Sequence, residues 1–294
     1  MKVALNEKKE WVELPKGSKE GLYIDGYHKQ NLDVARTIIK KDWDMIFVYD
    51  GYEGTGKSVK CMQDAFYCDP TLNIDRIVFN ADDFQKAVEK ASKYQAIVFD
   101  EAYGGLSSRG AMSTVNKSIT QMLTVIRAKN LFVFIVLPSF FDLDKYVALW
   151  RGRALIHVYT GDNFKRGFFE FYGKDRMKNM YVMGKKLYNY SCQKPNFRGA
   201  FTNTYVIDEA LYREKKNATS LDTGKQGTTL VHRKAVQSVR RDIVLSLRYK
   251  DIGLTVEQKA QILDLTRQTL SRYMREKAGV KDFKEEDLEN DTGI

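Results

Sequence analysis

The sequence predicts an α/β protein, with a mainly parallel sheet carrying an antiparallel extension, followed by a small all-helical module. Three observations predict it. Short apolar runs alternate with stretches of helical spacing, the first run breaks into the glycine-rich turn "DGYEGTGKSV", and the texture changes twice toward the C-terminus.

The apolar runs fall at Met45–Tyr49, Arg76–Phe79, Ala96–Phe99, Leu131–Leu137 and Ala154–Tyr159. Ahead of them, after a polar N-terminal lead, "NLDVARTIIKKD" places Leu32, Ala35, Ile38 and Ile39 on one side of a helix. Between them, "ADDFQKAVEKAS" and "STVNKSITQMLTVIRAK" read as helices, the first with Asp82 or Asp83 as its cap. Strand and helix in alternation build a parallel sheet, because a crossover is needed to bring each strand back in the same direction. From about residue 164 the runs "GFFEFYG" and "NMYVMGKKLYNYS" alternate and are rich in aromatics, which reads as antiparallel strands. "VIDEALYREKKNATS" reads as a helix closing the first domain, 1–220, and "LDTGKQGTT" at 221–229 as a linker.

Composition bounds the rest. A 294-residue chain with 43% hydrophobic residues can build a sizeable core without disulfides. Its three cysteines, Cys61, Cys68 and Cys192, form no CxxC pair, so reduced thiols in a cytoplasmic protein are expected, with Cys61 under the glycine-rich turn. The longest apolar run, "LFVFIVL", is far short of the roughly 20 residues of a membrane span, and the N-terminus has no signal-peptide core. The formal charge of +10 points to a polyanionic partner.

The turn carries the chemistry. Gly51, Gly56, Lys57 and Ser58 fit GxxxxGK[ST], in which backbone N–H groups cradle phosphates while the lysine and hydroxyl reach the terminal phosphates and Mg²⁺. Gly51, Gly54, Thr55, Gly56, Lys57, Ser58 and Val59 are therefore the candidate nucleotide-binding residues, with ATP and Mg²⁺ as the cofactors. Asp100 and Glu101 end the strand "AIVF", where one carboxylate meets the metal with Ser58 and the other orients the attacking water. With one strand-like segment between the loop strand and this acidic pair, the sequence reads as a P-loop NTPase of the ASCE type, the class with an additional catalytic glutamate. Lys57, Glu101 and Arg127 are the candidate catalytic residues. Arg127 is preferred over Arg109, Arg151 and Arg153 for an arginine acting across subunits because it ends a helix just before a core strand. Ser139, at the end of "LFVFIVLPS", is a candidate γ-phosphate sensor at the carboxyl edge of the sheet. His28, His157 and His232 have no metal or catalytic spacing, and His157 reads as a core residue.

Residues 230–281 hold twelve Lys and Arg against five Asp and Glu, and the tail 282–294 is acidic. "TVEQKAQILDLTRQTLSRYMREK" resembles a helix-turn-helix motif, with a turn at Leu263–Leu265, Thr266 capping the second helix, and "VHRKAVQSVRRDIVLSLRY" as the supporting helix. Ala260, Ile262 and Leu263 would pack on Leu270, Tyr273 and Met274, leaving Arg267, Gln268, Ser271 and Arg272 to face double-stranded DNA. Asp264 stands where that motif usually has glycine.

Over residues 45–160, "GYEGTGKS", "IVFDEA", Arg109, Arg127 and "PSFFDLDKYVALWR" together resemble the FtsK/HerA-type pumping ATPases, most closely the zonula-occludens-toxin-like and viral genome-packaging ATPases. The resemblance implies a ring, a pentamer or hexamer, that hydrolyses ATP to move DNA, with a capsid portal as a further partner in a phage or mobile-element setting and the host cytoplasm as its location. It implies phosphate and metal contacts from Lys57 and Ser58, metal support from Asp100, water polarisation by Glu101 and action across subunits by Arg127. Many relatives carry glutamine at the end of the fourth strand, where this chain has Pro138 and Ser139. Unlike the toxin-like relatives it shows no membrane span. A replication initiator or helicase loader and an ATP-regulated transcription factor would also join an ATPase to a DNA-binding module. A small-molecule kinase would need an acceptor pocket and lid that no segment supplies.

Overall fold

The computed structural model describes residues 1–100, 108–219, 255–262, 266–268 and 270, without the side chains of 108–114, 256, 259 and 262. The chain divides into two units, Met1–Thr223 and Gly224–Ile294.

The first unit is built on a seven-stranded sheet. In chain order its strands are β4 (Met45–Asp50), β5 (Ile77–Val78), β6 (Ala96–Phe99), β7 (Phe132–Val136), β8 (Gly152–Tyr159), β9 (Phe168–Gly173) and β10 (Phe197–Ala200). They lie in the order β10-β9-β8-β4-β7-β6-β5. The five strands from β8 to β5 run parallel, and β9 and then β10 extend the β8 edge antiparallel. All six residues of β4 are buried. Their side chains alternate faces as a pleated strand requires: Ile46 and Val48 join one core cluster, Met45, Phe47 and Tyr49 the other.

The helices cover those two faces. α1 (Gly26–Ile38) and α2 (Lys57–Cys68) pack on the Tyr49 side, while α3 (Ala81–Lys90), α4 (Ser108–Ala128) and α5 (Lys174–Gly184) pack on the Val48 side. A further helix, α6, spans 209–219 and starts where Asp208 accepts from the Leu211 N–H at 3.0 Å.

Three local expectations need correction. The polar N-terminal lead forms a small antiparallel sheet of β1 (Lys2–Leu5), β2 (Trp11–Glu13) and β3 (Leu22–Tyr23), in which Trp11 stacks on Tyr67 of α2. α3 is capped by Asn80, which accepts from Asp83 N at 2.8 Å, so Asp82 and Asp83 sit in its first turn. "NMYVMGKKLYNYS" is not a strand. Its first half belongs to α5, because Met177, Met180, Tyr181 and Gly184 are buried at helical spacing, and a tight turn follows at Tyr190–Cys192.

In the second unit, α7 (Val256–Ile262) begins with a reciprocal cap. Gln258 N donates to Thr255 Oγ1 at 3.2 Å, and Thr255 N donates to Gln258 Oε1 at 2.9 Å. Leu270 N donates to Thr266 O at 3.0 Å, and Ala260 and Leu270 are buried. The linker, the supporting helix 231–249, the turn 263–265, Ser271, Arg272, Tyr273, Met274 and the acidic tail lie outside the described residues.

Candidate nucleotide site

The phosphate loop leaves the carboxyl end of β4 and enters α2. Three glycines there have positive φ: Gly51 at 134°, Gly54 at 77° and Gly56 at 98°. At Gly51 the requirement is absolute, since a Cβ would lie 2.0 Å from the carbonyl oxygen of Val158 on β8. Gly56 is the last residue before α2 and has no capping side chain, so the first-turn N–H groups of the helix open into the loop.

Lys57 folds back over that loop. Its Nζ donates to Gly51 O at 2.6 Å and Tyr52 O at 2.9 Å, placing an ammonium group at the mouth of the cradle. Thr55 serves the loop itself, its hydroxyl donating to Tyr52 O at 2.8 Å, and Val59 is buried against the core. Ser58 Oγ donates to Asp100 Oδ1 at 2.9 Å, and Asp100 is fully buried. The second oxygen of Asp100 accepts from the Tyr212 hydroxyl, and Lys216 Nζ stands 3.9 Å away. Both groups come from α6, one helical turn apart. Glu101 lies outside the described residues, as does the side chain of Arg109.

This donor set fits MgATP. Mg²⁺ takes one or two protein oxygens, completes its shell with water and phosphate, and needs no protein cage. Ser58 and Asp100 supply that pair. No group of three or more His, Cys, Asp or Glu that could hold a metal occurs among the described residues.

Several residues of the site were not legible in the sequence. Arg166 reaches the loop from the β8–β9 connection, with Nη2 3.6 Å from where a Cβ on Gly54 would stand. Phe201 covers Gly56, and Gln63 of α2 holds that segment by donating to Thr202 O at 2.7 Å and Thr204 O at 2.8 Å. Beneath the loop, Asp64 accepts from Tyr49 Oη at 2.7 Å, Lys60 Nζ at 2.6 Å and His28 Nε2 at 2.8 Å, all four side chains buried. Although burial alone would raise it, His28 and Lys60 hold the Asp64 carboxyl at about 2. The available signal was local: polar residues at 60, 63 and 64 in a helix enclosed on every side need partners.

Asp50, the residue before Gly51, is also fully buried. Its Oδ1 pairs with His157 Nδ1 at 2.9 Å, and its Oδ2 accepts from Phe140 N at 2.9 Å and from the Tyr190 hydroxyl. His157 is thus a polar link on β8 stacked on Tyr190, not a plain core residue. Burial pulls its pKa down, but the Asp50 hydrogen bond and charge outweigh that and raise it. Ser139 stands beside this cluster, 3.3 Å from the Tyr190 hydroxyl.

Arg127 lies elsewhere. It ends α4 beside Asp42 and Trp43, just before β4 begins, with Nη2 3.3 Å from Asp42 Oδ2 and the guanidinium over the Trp43 ring. The loop lies at the other end of β4, and six residues at about 3.3 Å each put roughly 20 Å between the two edges. Arg151 and Arg153 share Arg127's edge, tied to Asp44. In the second unit, Arg267 and Gln268 are exposed, and Arg267 pairs with Glu257 at 2.7 Å.

The mixed α/β unit with its mostly parallel sheet fits a P-loop NTPase-like fold. No protein-family model matches the chain, and no curated protein matches it. Among solved structures, the N-terminal domain of zonular occludens toxin from Neisseria meningitidis is similar over 58% of this chain and 98% of that domain, with 16% identity and a TM-score of 0.32. Among the described residues no helix is long and apolar enough to cross a membrane.

Proposed function

We propose that the chain is a Mg²⁺-dependent ATPase that moves double-stranded DNA as a ring, in phage or mobile-element genome packaging or DNA pumping. The observation that carries the ATPase reading is the Ser58–Asp100 hydrogen bond, which joins a glycine cradle to a buried carboxylate at the same sheet edge. In this reading Lys57 exchanges its two loop carbonyls for phosphate oxygens, while the α2 N-terminus and Arg166 add positive potential around them. Ser58 and Asp100 hold Mg²⁺, which supplies charge neutralisation on the phosphates. Glu101 accepts a proton from the attacking water and orients it. Arg127 is about a sheet's width from its own loop and so serves a neighbouring subunit's site, which makes hydrolysis depend on assembly.

The DNA reading rests on the C-terminal charge, twelve basic residues against five acidic ones in 230–281, and on the exposed Arg267 and Gln268, with Ser271 and Arg272 completing the proposed face. A capsid portal is the further partner this reading brings. The deciding assay is steady-state ATP hydrolysis with and without double-stranded DNA, for the wild type and Glu101→Gln, with oligomer size recorded in the same samples. DNA-stimulated hydrolysis by a ring, lost in the variant, is the expected result. Slow hydrolysis indifferent to DNA, with tight binding to one sequence, overturns the motor and leaves an initiator, helicase loader or ATP-switched regulator.

A further inference from the structure

The hydrogen bonds around Asp50 fix the direction of the one between Ser139 and Tyr190. Asp50 accepts from His157, Phe140 N and Tyr190, so both of its oxygens serve as acceptors. Tyr190 has one hydroxyl proton, and it goes to Asp50. Burial and the Asp50 charge push the Tyr190 pKa up, so that proton stays in place. The 3.3 Å contact between Ser139 Oγ and Tyr190 Oη must then use the serine's own proton. Ser139 Oγ in turn accepts from Phe141 N at 3.3 Å. Its one proton is committed to Tyr190.

Ser139 follows β7, and β7 lies between β4 and β6, the strands that end in the phosphate loop and Asp100. The next residue, Phe140, is hydrogen-bonded through its N–H to Asp50, the root of the loop. Any phosphate oxygen that draws a hydrogen bond from Ser139 must therefore take it from Tyr190. Tyr190 sits in the turn after α5, with its ring against Phe141 and His157.

We propose that Tyr190 is a positioning residue that competes with the terminal phosphate for the Ser139 proton, so that filling the site with a triphosphate loosens the tie between the β7 end and the α5 turn. This rests on the nucleotide reading above and adds to it a specific device for telling triphosphate from diphosphate. The order of events needs no change in covalent bonding: one O–H···O hydrogen bond is exchanged for another, and Tyr190 keeps its bond to Asp50.

The experiment is equilibrium binding of ADP and of a non-hydrolysable ATP analogue, each with Mg²⁺, to the wild type, Tyr190→Phe, Ser139→Ala and the double variant. Phenylalanine keeps both ring contacts, and thermal unfolding of each variant checks the fold. Removing the competitor is expected to tighten the triphosphate analogue about three- to tenfold, the range of one net hydrogen bond, while ADP binding is unchanged. In the Ser139→Ala background the same Tyr190→Phe change is expected to do nothing. Equal effects on both nucleotides, or an effect that survives in the Ser139→Ala background, overturn the inference and leave Tyr190 a structural residue. If the wild type binds neither nucleotide, the nucleotide reading itself fails and this inference with it.

Discussion

Ser58 Oγ donates a 2.9 Å hydrogen bond to Oδ1 of Asp100, joining the first turn of α2 to the end of β6 across 42 residues of sequence. These two oxygens are the proposed metal ligands, already converged. Ser58→Ala and Asp100→Asn are each expected to lower Mg²⁺-dependent phosphate release about a hundredfold or more, the scale of losing a preorganised electrostatic contact. A magnesium titration of hydrolysis checks it, and unchanged magnesium dependence in both variants counts against the site.

Tyr212 makes a second contact with that carboxylate from α6. The hydroxyl is buried with a charged acceptor, so Tyr212→Phe is expected to destabilise the first unit by about 1.5–3 kcal/mol. Urea unfolding gives the value directly. An effect under about 0.5 kcal/mol means that Asp100 finds an equivalent donor.

Arg127 and the loop occupy opposite sheet edges, which makes a mixing test possible. Arg127→Ala and Glu101→Gln are each expected to lose about a thousandfold in turnover as pure proteins. Mixed in equal amounts, they are expected to regain activity, because one subunit keeps an intact loop and glutamate and the other keeps the arginine. No recovery in mixed rings assigns Arg127 to its local partners, Asp42 and Trp43.

The buried Asp64 sets a response to acid. Its carboxyl lies at about 2 in the folded protein against an ordinary 3.8, so its stabilisation is complete above about 3.8 and disappears as pH falls through about 2. That difference is worth about 2 kcal/mol. Asp64→Asn is expected to cost more, about 3–5 kcal/mol at neutral pH, since Lys60 then stays buried without its counter-charge. Stability against pH by urea unfolding tests both, and a flat wild-type profile between pH 5 and pH 2 contradicts the assignment.

His157 responds in the opposite direction. It faces Asp50, Glu170, Tyr190 and Lys57, and the Asp50 bond outweighs burial to raise its pKa above the ordinary 6.5. The protonated form's contribution is full below about 6.5 and is lost as pH rises through the raised value. His157→Asn can keep a donor toward Asp50 but cannot titrate, so its stability is expected to lack the decline that the wild type shows on the alkaline side. Parallel profiles for the two proteins place the titration elsewhere.

The part of the site legible in the sequence is local. A strand, a glycine-rich turn and a helix contiguous from Met45 to Cys68 announce the phosphate cradle, and the apolar run before Asp100 announces its partner, because period and turn chemistry are properties of neighbouring residues. The antiparallel edge was half legible: β9 follows alternation, whereas α5 was hidden by aromatics that suit strand and helix alike, and the short β10 gave no run of its own. The place of β7 between β4 and β6 emerges from folding alone, since sheet order depends on contacts distant in sequence. That order sets Ser139 beside Tyr190, gathers Asp50, Phe140, His157 and Tyr190 across separations of 90 to 140 residues, and sends Arg127 to the far edge. A buried carboxylate takes its partners from wherever the packing supplies donors, and that supply is set by the fold.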